Sequence, residues 1–358
     1  MTGKVVYYFL LMYPLKTAPS QRFRFEQYFH LLEKHNITFN TSSFYDDKTY
    51  ALLYKKKNRF VFALRLIKCF LKRCVEMFSL KPCQYIFIQR GASPFGPPIF
   101  EWIIRFIYNK KIIYDFDDAI WMPQFQMSAL NKWLKGYYKV KYICKWSHKV
   151  VAGNAYLFEY ANRFSKNVYV IPTVVDTDHF KPVINTLNSP LNIGWTGSHS
   201  TLLYLELLEP VLYRLQQKYK INICVIANQA PAFAKIKYQF IPWSETGEVE
   251  DLSKIDIGIM PLPSDIWTQG KCGFKALQYM ALQKPAVASS VGVNNMIIDN
   301  EQNGFLCDNT EDWERCLSYL IEHPATILEF GKSARSKVIR DFSLKKAEVL
   351  WWEVLKTG

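Results

Sequence analysis

No two of the eight cysteines stand at Cys-x-x-Cys spacing, and none is matched to a histidine at a zinc-site interval. That leaves free thiols in a reducing cytosol as the reading, with no metal expected. Nor does any apolar stretch reach the ~18 residues a membrane-spanning helix needs. The run Val5–Tyr13 ends in Pro14 with no small-residue cleavage site behind it, so it is read as a buried first strand rather than a signal peptide. The segment that follows, "PLKTAPSQRFRFEQYFHLLEKH" (14–35), lacks the glycines of a dinucleotide fingerprint, which counts against NAD binding there. Short repeats and low-complexity tracts are also missing.

Acidic residues are scarce in one half. Residues 1–183 hold 28 Lys+Arg against 12 Asp+Glu, whereas the rest of the 358-residue chain holds 17 against 19. A net charge of +14 that falls entirely in one half does not suit a uniformly basic nucleic-acid binder. It suggests two domains that meet different partners. Composition is otherwise globular, with 49% apolar and 21% charged residues, and the length exceeds one ordinary core.

Apolar runs alternate with helical patterns. Ten strands are expected, at 4–12, 37–44, 84–89, 111–116, 148–153, 167–172, 191–197, 221–227, 255–260 and 285–290. Strands alternating with helices imply an α/β protein with parallel sheets, one per half. The proline-rich stretch 171–190 is the best linker, placing a first domain at 1–183 and a second at 184–342. Ligands of such sheets sit at the carboxyl ends of strands, here in an expected cleft between facing domains.

"GKCGFKALQYMALQKP" (270–285) reads as a turn, a helix and a stop. Lysines are out of place at a helix start, which favours anions. Gly273 would let backbone amides approach a phosphate, with Lys271 and Lys275 as counter-charges. The plainer alternative is a basic surface turn. "GWTGSHS" (194–200) supplies a second glycine turn through Gly197 and Ser198, with Trp195 as packing and His199 as either a phosphate contact or a cap. "KIIYDFDDAIW" (111–121) ends a strand in carboxylates, where Asp117 or Asp118 would orient an acceptor hydroxyl or take its proton, or Asp118 would cap a helix. Arg22, Arg24 and Arg90 could hold an anionic acceptor, or serve ordinary surface pairing. Residues 54–78 mix basic and bulky apolar residues at helical spacing. Phe60, Leu64, Ile67 and Leu71 form one face, and Lys57, Arg65, Lys68, Lys72 and Arg73 lie around the others. Such a segment suits an anionic membrane surface, and a core-facing helix is the rival.

"GFKALQYMALQKPAVASSVG" (273–292) resembles the donor-binding signature of retaining family-four glycosyltransferases of the GT-B fold, the group 1 type found in surface polysaccharide synthesis. "VVAGNAYLFEYANRF" (150–164), "VIPTVVDTDHFKP" (170–182), "LNIGWTGSHSTLLYLELLEPVL" (191–212) and "NGFLCDNTEDWERCLSYLIEHP" (303–324) resemble other segments in the family's order, and residues 14–80 match loosely. The resemblance implies two facing Rossmann-like domains and a hexosyltransferase acting with retention, the first domain taking acceptor and membrane. The acceptor would be lipid-linked or a polysaccharide precursor, the donor a nucleotide sugar, and no nucleic acid is expected. It implies donor contacts at Gly197, Ser198, Lys271, Gly273, Phe274, Lys275 and Gln278, catalytic roles for Asp117, Asp118 and Lys275, and no cofactor or metal. It further implies a cytoplasmic enzyme peripheral to the inner membrane face, and a terminal helix (343–358) returning to the first domain through Leu350, Trp351 and Val354. Three positions depart: Gly270 and Gln278 stand where the family often has glutamates, and Gln283 replaces a glycine expected at a left-handed helix end. A sugar-nucleotide 2-epimerase of the same fold, a basic nucleic-acid-binding protein, or a degenerate partner subunit are the alternatives.

Overall fold

A computed structural model describes residues 6–53, 59–123, 127–183 and 186–356. The chain divides into two compact units, Met1–Pro172 with Glu348–Gly358, and Thr173–Ala347. The division falls at Pro172 rather than in the later linker because the following residues are already core. Val174, Val175 and Phe180 are fully buried, and Arg335 donates to the carbonyls of Thr177, Phe180 and Ala281.

The first unit holds strands β1 (Val6–Leu11), β2 (Thr38–Ser43), β3 (Tyr85–Gln89), β4 (Lys111–Phe116), β5 (Lys149–Ala152) and β6 (Val168–Val170). All pair in parallel, in the order β2-β1-β3-β4-β5-β6. Central strands such as "YIFIQ" are buried along their whole length, as a sheet covered on both faces requires. The helix Leu344–Leu355 closes one side through Trp351, Val354 and Leu355, and the Trp351 ring packs at a tilt against Tyr28 and Phe87. Leu350, expected in that contact, is 41% exposed, because the buried stripe runs through 347, 351, 354 and 355.

The second unit holds β7 (Leu191–Gly197), β8 (Ile221–Ala227), β9 (Gln239–Pro242), β10 (Ile257–Met260), β11 (Ala286–Ser289) and β12 (Gly304–Cys307). Its order, β12-β11-β10-β7-β8-β9, is the 3-2-1-4-5-6 arrangement of dinucleotide-binding sheets. All ten expected strands are present; β9 and β12 were not anticipated. Both are four-residue edge strands, and "QFIP" is exposed at both ends. Gln283 adopts φ 58°, the left-handed conformation a glycine would take more cheaply, and its carbonyl packs so closely on Gly331 that no side chain fits there. None of the eight cysteines is joined in a disulfide.

Candidate active site

In the second sheet the strand order reverses between β7 and β10, and that is where such sheets open for a ligand. The two strands pair only at Ile193–Ile257 and Gly194–Gly258, then part. A Cβ on Gly258 would lie 2.2 Å from the ring of Tyr279, so the glycine makes the space that ring occupies. The Tyr279 hydroxyl accepts the Thr196 N–H at 2.8 Å and lies 3.4 Å from the Ile259 carbonyl it faces. Burial raises the phenol's pKa and keeps it protonated.

Tyr279 belongs to the helix Phe274–Ala281, which buries Leu277, Tyr279, Met280 and Ala281 against the sheet. Its N-cap is a glycine, which has no side chain to cap it. The position before it is Gly273 at φ 66°, where a Cβ would come within 2.2 Å of Ile297 Cδ1. Backbone conformation and packing both require glycine here. From the first turn, the Lys275 ammonium reaches 5.5 Å from the ring of Trp195 on β7, and the Trp195 ring underlies Gly197. Lys275, Gly197 and Ser198 are thereby gathered at the open end of β7. Lys271 stands 5.4 Å over the ring of Trp267 in the preceding loop. Trp195 itself is core, 2% exposed. Ser198 is exposed and shares a hydrogen bond with Ser200, while His199 donates its backbone N–H to Asn228. Burial holds the His199 imidazole below its usual pKa.

Gln278 is nearly buried, and its Nε2 donates to Glu248 Oε1 at 3.1 Å. Trp243 Nε1 donates to the same oxygen at 3.2 Å. A carboxylate therefore stands behind the position where the family often has glutamate, contributed from thirty residues upstream. Sequence reasoning missed Glu248; the acidic first turn of its helix, Glu248–Ser253, gave no sign of the pairing. It also missed Asn294, fully buried beside Gly273. Its Nδ2 donates to the Ser289 carbonyl, and its Oδ1 accepts no hydrogen bond among the described residues.

In the first unit the ends of β3 and β4 bring three predicted residues together. Arg90 binds Asp117 through Nε at 3.0 Å and Nη2 at 2.8 Å, and binds Asp118 through Nη2 at 2.6 Å. Arg90 sits at φ 61°, a conformation costing an arginine about 1–2 kcal/mol. The cluster holds it there: its N–H donates to the Asp115 carbonyl, and its own carbonyl accepts from Tyr114. Burial alone would depress the guanidinium's pKa, but Asp117 and Asp118 outweigh it and the net shift is upward.

Arg24 is not available to an acceptor. It is 1% exposed, pairs with Asp115 at 2.5 Å and donates to the Ile171 carbonyl. The two charges thus satisfy each other inside the core. Burial pushes the Asp115 carboxyl up to about 6, against the opposing pull of Arg24. Arg22 is half-buried, its guanidinium 4.8 Å over the ring of Phe23. Among the described residues no group of three or more His, Cys, Asp or Glu could hold a metal ion.

Residues 204–323 match the family described as Glycosyl transferases group 1, so the second unit carries a domain of that type. No curated protein matches the chain in sequence. Among solved structures, the chain is similar to sucrose-phosphate synthase from Thermosynechococcus elongatus at TM-score 0.70 and 13% identity, with 98% of each chain covered. A glycosyltransferase from Rickettsia africae aligns at TM-score 0.66 and 15% identity over 99% of this chain and all of that one. HepE from Anabaena, solved in complex with UDP and glucose, aligns at TM-score 0.66 and 13% identity over 98% and 99%. The fold is GT-B, built from two Rossmann-like parallel-sheet units.

Proposed function

We propose that the chain transfers a hexose from a nucleoside-diphosphate sugar to an acceptor hydroxyl, with retention of configuration. One observation carries the reading. A glycine-opened helix bearing Lys275 in its first turn points its start at the diverging ends of β7 and β10. Helix amides and ammonium groups are the donors a diphosphate recruits. In the reaction the bond from the anomeric carbon to the diphosphate oxygen breaks, and the diphosphate leaves with the electron pair. A bond to the acceptor oxygen forms on the same face. Lys271, Lys275 and the amides near Gly273 stabilise the charge gathering on the leaving diphosphate, so no step is assigned to a metal. Gly197, Ser198 and Phe274 line the donor's place, and Gln278, backed by Glu248, offers its amide oxygen to a hydroxyl. Asp117 or Asp118, held in register by Arg90, orients the acceptor hydroxyl or receives its proton, and Arg22 attracts an anionic acceptor. The acceptor is lipid-linked, and the protein works at the inner surface of a membrane.

Thermal-shift screening of nucleotide sugars, followed by product analysis, tests the reading, since a specific donor stabilises the native state. Stabilisation by one nucleoside-diphosphate hexose, and a glycoside with the donor's anomeric configuration, are expected. An isomerised nucleotide sugar formed without acceptor would identify an epimerase instead.

A further inference from the structure

The helices covering one face of the first sheet turn apolar side chains outward. From β2 onward each connection advances the same way across the order β2-β1-β3-β4-β5-β6, so right-handed crossovers place all their helices on a single face. The connection from β1 to β2 runs the other way and puts Phe29–Lys34 opposite. Three consecutive connections build the shared face. They contribute Arg59–Glu76, then Ile99–Trp102 continued by Ile103–Ile107, then Ala129–Lys135 with Lys139–Trp146. These segments touch. Phe70 and Phe100 rings lie 6.5 Å apart, Phe106 and Trp146 rings 5.6 Å, and the Gly96 N–H donates to the Leu134 carbonyl.

An ordinary covering helix buries its apolar stripe. Arg59–Glu76 buries one stripe and exposes a second: Phe62, Leu66, Cys69 and Phe70 pack with Met12, Phe44 and Tyr45. Arg73 is fully buried, donating to the Leu11 and Ser42 carbonyls and paired with Glu76. Phe60, Leu64, Ile67 and Leu71, the face named from the sequence, are instead 75%, 53%, 57% and 62% exposed, so the helix meets the core through a different stripe and leaves this one uncovered. Lys57 and the rest of the stretch 54–58 lie outside the described residues. The neighbouring segments repeat the pattern with Trp102, Phe106 and Ile107, and with Leu130, Trp133 and Leu134, all exposed.

Charge decides what covers this face. Arg59, Lys68, Lys72, Lys132, Lys135 and Lys145 are exposed on these helices. Their only acidic residues, Glu76 and Glu101, are turned inward. A second copy of the same face would set like charge against like. We infer that the helical layer of the first unit is a docking surface for an anionic lipid bilayer, extending well beyond the basic segment at 54–78. Apolar side chains with tryptophans enter the headgroup boundary, and lysines meet lipid phosphates. The surface reaches the sheet's carboxyl edge. Helix Ala129–Lys135 hangs from the connection that begins with Asp117 and Asp118, and Gly136 at its end packs on the Gly96 carbonyl, in the loop that begins at Arg90. Under the glycosyl-transfer reading, an acceptor would then be drawn from the lipid phase, its apolar anchor left in the bilayer.

Sedimentation of the full chain with vesicles tests this. Binding is expected to phosphatidylcholine vesicles containing about a third phosphatidylglycerol, not to phosphatidylcholine alone, and to weaken with salt. The pairs Trp102→Ser/Phe106→Ser and Trp133→Ser/Leu134→Ser should each weaken partitioning at least about tenfold, with unchanged thermal unfolding. Transfer to a water-soluble acceptor should persist in both, so loss of docking and failure of the transferase reading are told apart. No binding to anionic vesicles, full binding by both variants, or self-association that the same substitutions abolish would overturn the inference.

Discussion

The hydroxyl of Tyr279 accepts the backbone N–H of Thr196 at 2.8 Å, just where β7 and β10 cease to pair. A side chain from the candidate phosphate-binding helix thus stands in for the missing ladder bond and anchors that helix to the open end of the sheet. Tyr279→Phe strips a buried N–H of its partner and should cost about 1–3 kcal/mol. Urea unfolding would register the loss. An unchanged midpoint would mean that Thr196 finds another acceptor.

Lys275 bears on turnover rather than on the fold. It is half-buried against Trp195. If its ammonium stabilises a departing diphosphate, Lys275→Ala should lower kcat on the order of 100-fold while the melting temperature stays close to that of the parent. Wild-type turnover would remove this lysine from the chemistry and leave it a cation–π contact.

The sheets were legible in the sequence because parallel strands buried on both faces appear as unbroken apolar runs, as "VYYFLL" does. Of the four edge strands, β2 and β6 were anticipated and the four-residue β9 and β12 passed unnoticed. The same division holds in the site. Gly273 and Gly197 announce themselves as local turns. The links Gln278 to Glu248 and Arg24 to Asp115 join residues 30 and 91 positions apart, and nothing near either residue names its partner. Arg24 and Arg90 look equivalent along the chain, yet one is a core ion pair and the other a strand-end clamp on two carboxylates.

Asp115 makes the first unit's stability depend on pH in an uncommon direction. Its carboxyl is raised to about 6 by burial, above the value of an unfolded aspartate. The native state therefore holds the proton longer than the unfolded state. The contribution is complete below about pH 4 and is lost as pH rises through about 6. Comparing wild type with Asp115→Asn by urea unfolding, the wild type's relative stability should fall across that window by up to about 3 kcal/mol. A rise instead would mean that the Arg24 charge dominates.

Gly273 concentrates the demands of the second unit in one position. It must adopt φ 66°, and it must clear Ile297, which is fully buried and leaves only 2.2 Å to a prospective Cβ. Gly273→Ala meets both obstacles. The left-handed backbone costs about 1–2 kcal/mol, and displacing the Ile297 methyl adds an overpacking cost of similar size. Pairing the change with Ile297→Val, which removes the obstructing methyl, separates the two. The packing cost should largely vanish in the double variant, while the backbone cost persists. Donor binding supplies the second readout. If the amides after Gly273 hold a diphosphate, the Kd for a nucleotide sugar should rise in both variants, because relief at Ile297 does not restore the glycine's backbone freedom. Affinity restored along with stability in the double variant would instead mean that the turn matters only for packing.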